Sequence, residues 1–171
     1  NFVSPYYMAH ELKPILQKSG GRVVAVGSIA HNYSHTNADD VDFSSKRASS
    51  KVYGNSKRYL MFALYGLFKG ENGLAVTHPG ITFTNITAHY PDWLFWIIKN
   101  PMKLIFMPPK RAALSIIRGM LDDVPAGSWI GPSFFDIWGL PSIKKLRTIS
   151  YEEQALIRDA ATKIYTCIQR S

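Results

Sequence analysis

The sequence has little cysteine and no long uninterrupted apolar run. Cys167 is the only cysteine among the 171 residues, which excludes an internal disulfide and a cysteine-based metal site. The most apolar window, residues 93–107, is broken by two lysines, an asparagine and a proline between positions 99 and 103. It is therefore too interrupted to span a bilayer, although it could lie on one.

Acidic residues are scarce relative to basic ones. The chain has 12 Asp and Glu against 20 Lys and Arg, which gives a formal net charge of +8. Such a charge suggests nucleic acid, but the cations are scattered and form no recognisable nucleic-acid module. We therefore expect a solvated basic face that prefers anionic ligands, and no nucleic-acid partner. The loose groups are Lys99, Lys103, Lys110 and Arg111, and Lys144, Lys145 and Arg147.

The first residues lack both a starting methionine and the basic, then apolar, pattern of a signal peptide. We interpret the chain as a piece of a longer, cytoplasmic protein, with association at a membrane surface as an alternative. Its content of 46% hydrophobic and 13% aromatic residues is typical of a globular domain.

Helical and strand patterns alternate along the chain. Apolar spacing predicts helices over residues 4–17, 51–68, 110–121 and 150–169, the last opened by a capping box of Ser150 and Glu153. Short apolar runs predict buried strands over residues 22–26, 73–77 and 128–131. Residues 134–147 are predicted to be irregular because a Gly-Leu-Pro sequence interrupts them. This order indicates an α/β fold with about three parallel strands and flanking helices.

Residues 30–51 are polar and predict a long loop. The loop contains five side chains that can ligate metals, but their spacing is irregular and no predicted helix or strand would fix them. A solvated loop is therefore favoured over a metal site. The five residues are His31, His35, Asp39, Asp40 and Asp42.

Tyr53 and Lys57 lie four residues apart at the start of a predicted helix, so both side chains should share one face. A tyrosine has a pKa of about 10, and a fixed positive neighbour favours the phenolate and lowers that pKa. The pair is therefore suited to donate and accept a proton. Ser28 follows a predicted strand, at the end where open α/β sheets bind ligands. Pro79 and Gly80 follow the next strand, either as part of a ligand site or as an ordinary turn.

Ser28, Tyr53 and Lys57, in this order and followed by the Pro79-Gly80 turn, resemble the active site of the short-chain dehydrogenase/reductase family. The resemblance covers essentially the whole chain, residues 1–171, but only the C-terminal half of the family's doubly wound, Rossmann-type fold. The family's glycine-rich cofactor turn is absent from these residues. The long link between Ser28 and Tyr53, with the acidic segment 40–43, is similar to the retinol-dehydrogenase-like branch.

The resemblance implies a role for each matching residue in an NAD(P)-dependent exchange between an alcohol and a carbonyl. Tyr53 would be the general acid and base, Ser28 would bind the substrate oxygen, and Asn1 would support a water that leads from Lys57 to solvent. Lys57 would also hold the nicotinamide ribose. Pro79, Gly80, Ile81 and Thr84, together with Tyr53 and Lys57, would bind NAD or NADP, and the chain does not indicate which of the two.

The aromatic segment over about residues 85–110 occupies the family's substrate-lid position. Its residues Trp93, Phe95, Trp96 and Phe106 are predicted to line a pocket for an apolar carbonyl or alcohol. The alternative is that flanking cations dock this segment on a membrane surface. The family also implies a homodimer or homotetramer formed through the helices predicted over residues 4–18 and 51–68.

A different class of function is also consistent with the sequence. The isolated half-fold could be a family relic or fragment that acts as a binding or dimerisation module, since its helices carry apolar residues that the half-fold would leave uncovered. We expect these residues alone to bind no cofactor and to be inactive.

Overall fold

The computed structural model describes residues 1–37, 40, 44–45, 48–69, 73–82, 106–147 and 149–170. Within these ranges four strands, four α-helices and a short 3₁₀ turn follow the order of the sequence. The strands are β1 (Val23–Val26), β2 (Leu74–Thr77), β3 (Ser128–Phe134) and β4 (Trp138–Lys145). The helices are α1 (Val3–Ser19), α2 (Ser49–Leu67), α3 (Pro109–Leu121) and α4 (Tyr151–Gln169), and the 3₁₀ turn is Ile29–Tyr33.

The strands form one open sheet in the order β1-β2-β3-β4. The first three are parallel, with Val26 opposite Thr77 and Thr77 opposite Ile130. β4 is antiparallel to β3 and forms a hairpin with it. This confirms the predicted α/β class with an open, mostly parallel sheet of the kind found in half of a Rossmann-type fold.

The prediction that residues 134–147 are irregular is wrong, because most of them form β4. The described sheet therefore has four strands rather than about three. Gly139 and Pro141 look like strand breakers in the sequence. β4 lies at the sheet edge, however, where a proline needs no partner for its missing N–H. Gly139 has a φ of 110°, which few other residues adopt.

The burial of the strands differs from the prediction in β1. β2 is buried throughout, as its apolar sequence indicates. In β1 only Ala25 is buried, and Val26 is exposed, so the prediction that this strand is covered on both faces is wrong. The physical reason is that β1 is at the edge of the described sheet and pairs there with β2 alone.

The sheet is packed on both faces. α1, α2 and α4 contribute to the main core on one face, which is centred on α2 residues such as Met61 and Leu64 and includes Val76 and Trp129. α3 packs on the other face at close range: a Cβ on Gly119 would lie 2.6 Å from Thr77 Cγ2. α2 and the carboxyl ends of the parallel strands are thereby held in fixed relation.

α4 packs against α2 and α1. Gln154 Nε2 donates to Phe62 O at 2.8 Å, and the rings of His10 and Tyr165 lie 3.9 Å apart. Part of the α1–α2 surface for which the sequence predicts dimerisation is therefore covered within one chain. The dimer remains a prediction. In the described ranges, no helix combines the length and apolarity needed to cross a bilayer.

The first turn of α4 shows half of the predicted capping box. Ser150 Oγ accepts from the Glu153 N–H at 3.1 Å. The Glu153 carboxylate, however, is bound to the Arg58 guanidinium on α2 through two contacts of 2.6 and 2.7 Å. A charged partner in tertiary contact thus takes the carboxylate that the local motif would use.

Candidate active site

The carboxyl ends of β1, β2 and β3 bring the predicted site residues to one edge of the sheet. Gly27 N donates to Thr77 O, and His78 N donates to Ile130 O, both at 2.7 Å. Ser28 therefore lies beside the start of the turn that contains Pro79 and Gly80. The parallel arrangement that the sequence predicts is what places these two segments together.

Ser28 is held by the turn that follows it. It has an extended backbone and forms the N-cap of the 3₁₀ turn, where its Oγ accepts from the Ala30 N–H at 3.2 Å. Because this bond uses a lone pair of the oxygen, the Ser28 O–H can still donate to a ligand oxygen. The residue is buried, with 8% of its surface exposed.

Lys57 links α2 to the end of β1. Its Nζ donates to Val26 O at 2.7 Å and lies 5.8 Å from the centroid of the Tyr53 ring. Burial lowers the pKa of the Lys57 ammonium below its usual value. Tyr53 itself is 41% exposed, so a ligand can reach its hydroxyl group. The predicted proximity of the two side chains on one helix face is present in the structure.

Gly54 sets the distance between α2 and the segment after Ser28. A Cβ at this position would lie 2.3 Å from Ser34 Oγ and 2.7 Å from Ala30 O. Only a glycine lets the helix approach the 3₁₀ turn so closely. Sequence reasoning missed this role, because a glycine inside a helix does not by itself indicate what packs against it.

The Pro79-Gly80 turn also depends on its glycine. Gly80 is buried with a φ of 81°, and a Cβ there would lie 2.8 Å from Pro132 Cγ and 2.9 Å from Ile137 O. The turn is thus built against the β3–β4 hairpin. Next to it Ile81 O accepts from Met107 N at 2.9 Å, and Thr82 and Met107 form a parallel bridge. Thr82 and Met107, which enclose most of the predicted lid segment in the sequence, therefore lie together beside the site.

Two histidines and a tryptophan form a layer below Ser28. The ring of Trp129 lies 5.4 Å from the rings of both His31 and His78, and it is stacked on His78 at 26°. The Nδ1–H of His31 donates to Ser28 O. Burial lowers the pKa of His31, and it lowers the pKa of His78 to about 4, so both rings are neutral near pH 7.

No sequence pattern groups these three side chains. The loop pattern suggests His31 only as a metal ligand, whereas the structure uses it to fix the Ser28 carbonyl. His78 stands directly before Pro79, and its position after a buried strand was the one signal that could have identified it. In the described ranges no three His, Cys, Asp or Glu side chains cluster to hold a metal, and Asp39 and Asp42 lie outside those ranges.

The other predicted site residues lie at the ends of described segments or outside the described residues. Asn1 is exposed and precedes α1 rather than lying on it, so its role remains a prediction. Phe106 is half-buried next to Met107, at the end of the lid segment. Thr84, Trp93, Phe95 and Trp96 lie outside the described residues.

Fold and site together define an open α/β sheet with a serine, a tyrosine and a lysine at its carboxyl edge. No family model matches the chain. Over 102 residues, 53% of this chain and 28% of the relative, it is 30% identical to a 3-keto-steroid reductase of Debaryomyces hansenii. It also resembles the crystal structure of an uncharacterized protein from Mycobacterium paratuberculosis, with a TM-score of 0.58 and 21% identity over 85% of this chain and 50% of that one.

The chain spans about half or less of the length of these two proteins. The structural similarity bears on the fold, and the sequence similarity is to a reductase. Together they agree with a relationship to proteins of the short-chain dehydrogenase/reductase type. The retinol-dehydrogenase-like branch stays a prediction.

Proposed function

We propose that this chain carries the catalytic part of an NAD(P)-dependent oxidoreductase that interconverts an alcohol and a carbonyl on an apolar substrate. The observation that carries the proposal is the position of Lys57, whose ammonium joins the end of β1 to the Tyr53 ring. This contact connects a proton-transfer group on α2 to the strand that presents Ser28. The similarity to a 3-keto-steroid reductase supports the same chemistry.

Tyr53 is the proposed general acid and base. Its hydroxyl group would give a proton to the carbonyl oxygen during reduction and take a proton from the alcohol during oxidation. The Lys57 charge, 5.8 Å from the ring centroid, would stabilise the phenolate that remains when the proton has left. Lys57 is held by Val26 O, so its charge acts from a fixed position.

Ser28 is the proposed donor to the reacting oxygen. Its Oγ is fixed by the Ala30 N–H, so its O–H can meet the substrate oxygen without first reorganising. Such a preorganised donor is most useful where negative charge develops on that oxygen. The buried position of Ser28 makes this bond stronger than it would be in water.

The residues present fit a nicotinamide cofactor. An ammonium group has three donors, and Val26 O takes one of those on Lys57, which leaves donors for ribose hydroxyl groups. The turn at Pro79 and Gly80 and the following Ile81 would lie along the cofactor, with Thr84 next in the chain. When bound, NAD or NADP supplies the hydride that the carbonyl carbon accepts. Asn1 would support a water between Lys57 and solvent.

An apolar substrate is proposed from the lid segment. Thr82 and Met107, which enclose most of that segment in the sequence, form a bridge, with Phe106 half-buried next to Met107. Because the aromatic residues lie in the sequence between two positions beside the site, they are suited to cover an apolar ligand. The 3-keto-steroid reductase is named for a substrate of this kind.

A binding or dimerisation module is the second candidate. It is favoured by an exposed apolar stripe on α1, where Met8, Leu12 and Ile15 recur at helical spacing. If the chain acts only in this way, Tyr53 has no chemical task, and the full protein should show no turnover with any carbonyl.

The test is a Tyr53→Phe substitution in the full-length protein. Removing the hydroxyl group should lower turnover by about 10²–10⁴-fold, because the proton donor is lost while the ring remains. The measurement is NADPH and NADH oxidation against a panel of apolar aldehydes and ketones, with circular dichroism to show that the fold is kept.

Tyr33→Phe is the matched control, since Tyr33 is an exposed tyrosine that follows Ser28 and the same hydroxyl group is removed. It should leave turnover unchanged. A Tyr53→Phe protein that keeps full turnover would remove Tyr53 from the mechanism, and a wild-type protein without any turnover would favour the binding module.

A further inference from the structure

The β3–β4 hairpin projects from the sheet at the same edge as the site. Thr77, the last residue of β2, is opposite Ile130, whereas β3 continues to Phe134. At about 3.3 Å per residue, the strand extends roughly 13 Å beyond the end of β2. Within the described ranges, the tip of the hairpin therefore projects beyond the other strands on the side of Ser28 and the Pro79-Gly80 turn.

The tip is aromatic and exposed. Phe134 and Phe135 are 64% and 77% exposed, and their rings meet edge to face at 4.7 Å. Trp138, opposite Phe134 in the register, and Leu140 are also exposed. We call Phe134, Phe135, Trp138 and Leu140 the hairpin patch.

The left-handed backbone conformation at the tip of the hairpin is unfavourable for phenylalanine. Phe135 and Asp136 have φ values of 48° and 58°, a left-handed pair that closes the turn through the Ile137 N–H and Phe134 O. Glycine or asparagine is preferred in this conformation, whereas a phenylalanine is strained. Because Phe135 is largely exposed, packing against the described residues does not explain why a phenylalanine occupies the turn.

Positive charge is placed next to the patch. The Arg111 guanidinium lies 4.8 Å from the centroid of the Trp138 ring, and Lys110 is its exposed neighbour. Both occupy the first turn of α3, which contains no acidic residue. The helix dipole makes that end positive already, so two cations there are locally unfavourable and add to one positive field.

Within the turn, Asp136 does not cancel this field at the surface. Its carboxylate accepts from Trp129 Nε1 and is paired with Lys144, each at 2.9 Å, and it therefore points back toward the layer below the site. Two locally unfavourable features therefore lie next to each other: a phenylalanine in a left-handed conformation and two cations at a helix N-terminus. Such coincidences are typical of functional surfaces.

We propose that the hairpin patch docks on a lipid surface that carries anionic headgroups. The aromatic side chains enter the interface, and Lys110 and Arg111 bind the headgroups. Exposed aromatics beside cations match such a surface in both apolarity and charge. Docking turns the carboxyl edge of the sheet toward the lipid, where apolar molecules are concentrated. This goes beyond the proposed reaction, because the patch contains none of the residues that would carry out the chemistry.

The experiment is flotation of the full-length protein with phosphatidylcholine vesicles that contain about 30% phosphatidylserine. The protein should float, and in about 1 M salt, where the Debye length is about 3 Å, binding should fall several-fold. Phe135→Asn should weaken binding roughly tenfold, since an inserted ring is lost. The same variant should raise Tm by about 2–4 °C, because asparagine relieves the left-handed strain.

Tyr151→Asn is the matched control. Tyr151 is 80% exposed and lies near Gly127 and Lys145, at the opposite end of the hairpin from the tip. It should bind vesicles as the wild type does. Tyr53→Phe should also float normally, which separates the docking proposal from the catalytic one.

Two results would overturn the proposal. One is a wild-type protein that stays with the unbound fraction at low salt. The other is a wild-type protein that self-associates in solution and is dissociated by Phe135→Asn without any vesicle binding, since the patch would then be a protein interface.

Discussion

His78 is a neutral histidine enclosed beside the candidate site. It is 4% exposed, stacks on Trp129, and has its pKa lowered by burial to about 4 from the ordinary 6.5. An unfolded chain therefore takes up a proton on this residue at a pH where the folded chain does not. Stability is full above the unfolded pKa of 6.5 and falls as the pH is lowered toward 4.

We predict that the free energy of unfolding decreases by about 2 kcal/mol between pH 7 and pH 5 because of His78 alone. His78→Phe, which keeps an aromatic ring but cannot be protonated, should remove that part of the pH dependence. Urea denaturation at pH 7 and pH 5 measures the free energy of unfolding of both proteins. His35→Gln, at an exposed histidine, should retain the wild-type slope, and an unchanged slope in His78→Phe would refute the assignment.

The residues that could be predicted from the sequence are those whose chemistry is contained in their type and spacing. Ser28 at a strand end and Tyr53 four residues before Lys57 needed only secondary-structure patterns. His31 and His78 could not be predicted, because their partners, Ser28 O and Trp129, come from other segments. Cys167 shows the same limit: its sequence position favours a buried or half-buried residue, but it is exposed.

Among the elements, α2 has the largest influence on the site. Its first half carries Tyr53 and Lys57, and its second half lies in the core. Gly54 brings the first half against Ala30 and Ser34, which follow Ser28. The helix therefore sets the distance between the proposed proton donor and the proposed oxygen-binding hydroxyl group.

We predict that Gly54→Ala lowers turnover by roughly 10²-fold, since displacement of about 1 Å is enough for such a loss. Alanine is the better helix former by about 0.5–1 kcal/mol, so local propensity alone would predict a more stable protein. The added Cβ would, however, lie 2.7 Å from Ala30 O, a backbone atom that cannot move away cheaply. Steady-state kinetics measures the loss of turnover, and thermal unfolding measures whether the variant is more or less stable than the wild type.

Gly66→Ala in the same helix is the control. Among the described residues a Cβ at Gly66 would meet Gln154 Nε2 alone, at 3.0 Å, and that side chain can shift by giving up its hydrogen bond to Phe62 O. This variant should keep activity and lose at most about 1 kcal/mol of stability. Equal behaviour of the two alanine variants would show that close approach at Gly54 is not required.

β4 was the strand that the sequence did not predict, and the 3₁₀ turn at the start of the predicted loop was not predicted either. Its Gly-Leu-Pro sequence is read as a break by local rules, and only its pairing with β3 at a sheet edge makes a strand acceptable there. The lengths of the other strands and of the helices were predicted within two or three residues, because apolar patterns cover most of each element. Tertiary pairing therefore explains what the local pattern could not.

At the scale of the whole molecule, the ion pair between Arg58 and Glu153 joins three segments of the chain. Arg58 on α2 binds Glu153 on α4 and also donates from Nη1 to His31 O at 2.9 Å. Thr36 donates to the same carboxylate. The hydrogen bonds from Arg58 hold the pKa of Glu153 below its usual value. The stability that they provide is therefore present above the ordinary pKa of 4.5 and is lost as the pH falls further.

We predict that Glu153→Gln lowers the free energy of unfolding at pH 7 by about 2 kcal/mol, since Arg58 loses its charged partner in a mostly buried position. Chemical denaturation measures the change. Asp159→Asn breaks the exposed Arg158–Asp159 pair, both of whose side chains are 63% exposed, and should change stability by less than about 0.5 kcal/mol. A cost for Glu153→Gln as small as that would show that the Arg58–Glu153 pair does not hold α4 on α2.

The single exposed thiol gives the molecule a built-in labelling position. Cys167 lies in the last turns of α4, the helix that covers part of α1 and α2. A maleimide dye attached there would sit on a helix whose position changes if that cover is displaced. Its emission would then report, without any engineered cysteine, whether a partner or a second copy of the chain replaces α4 on that surface.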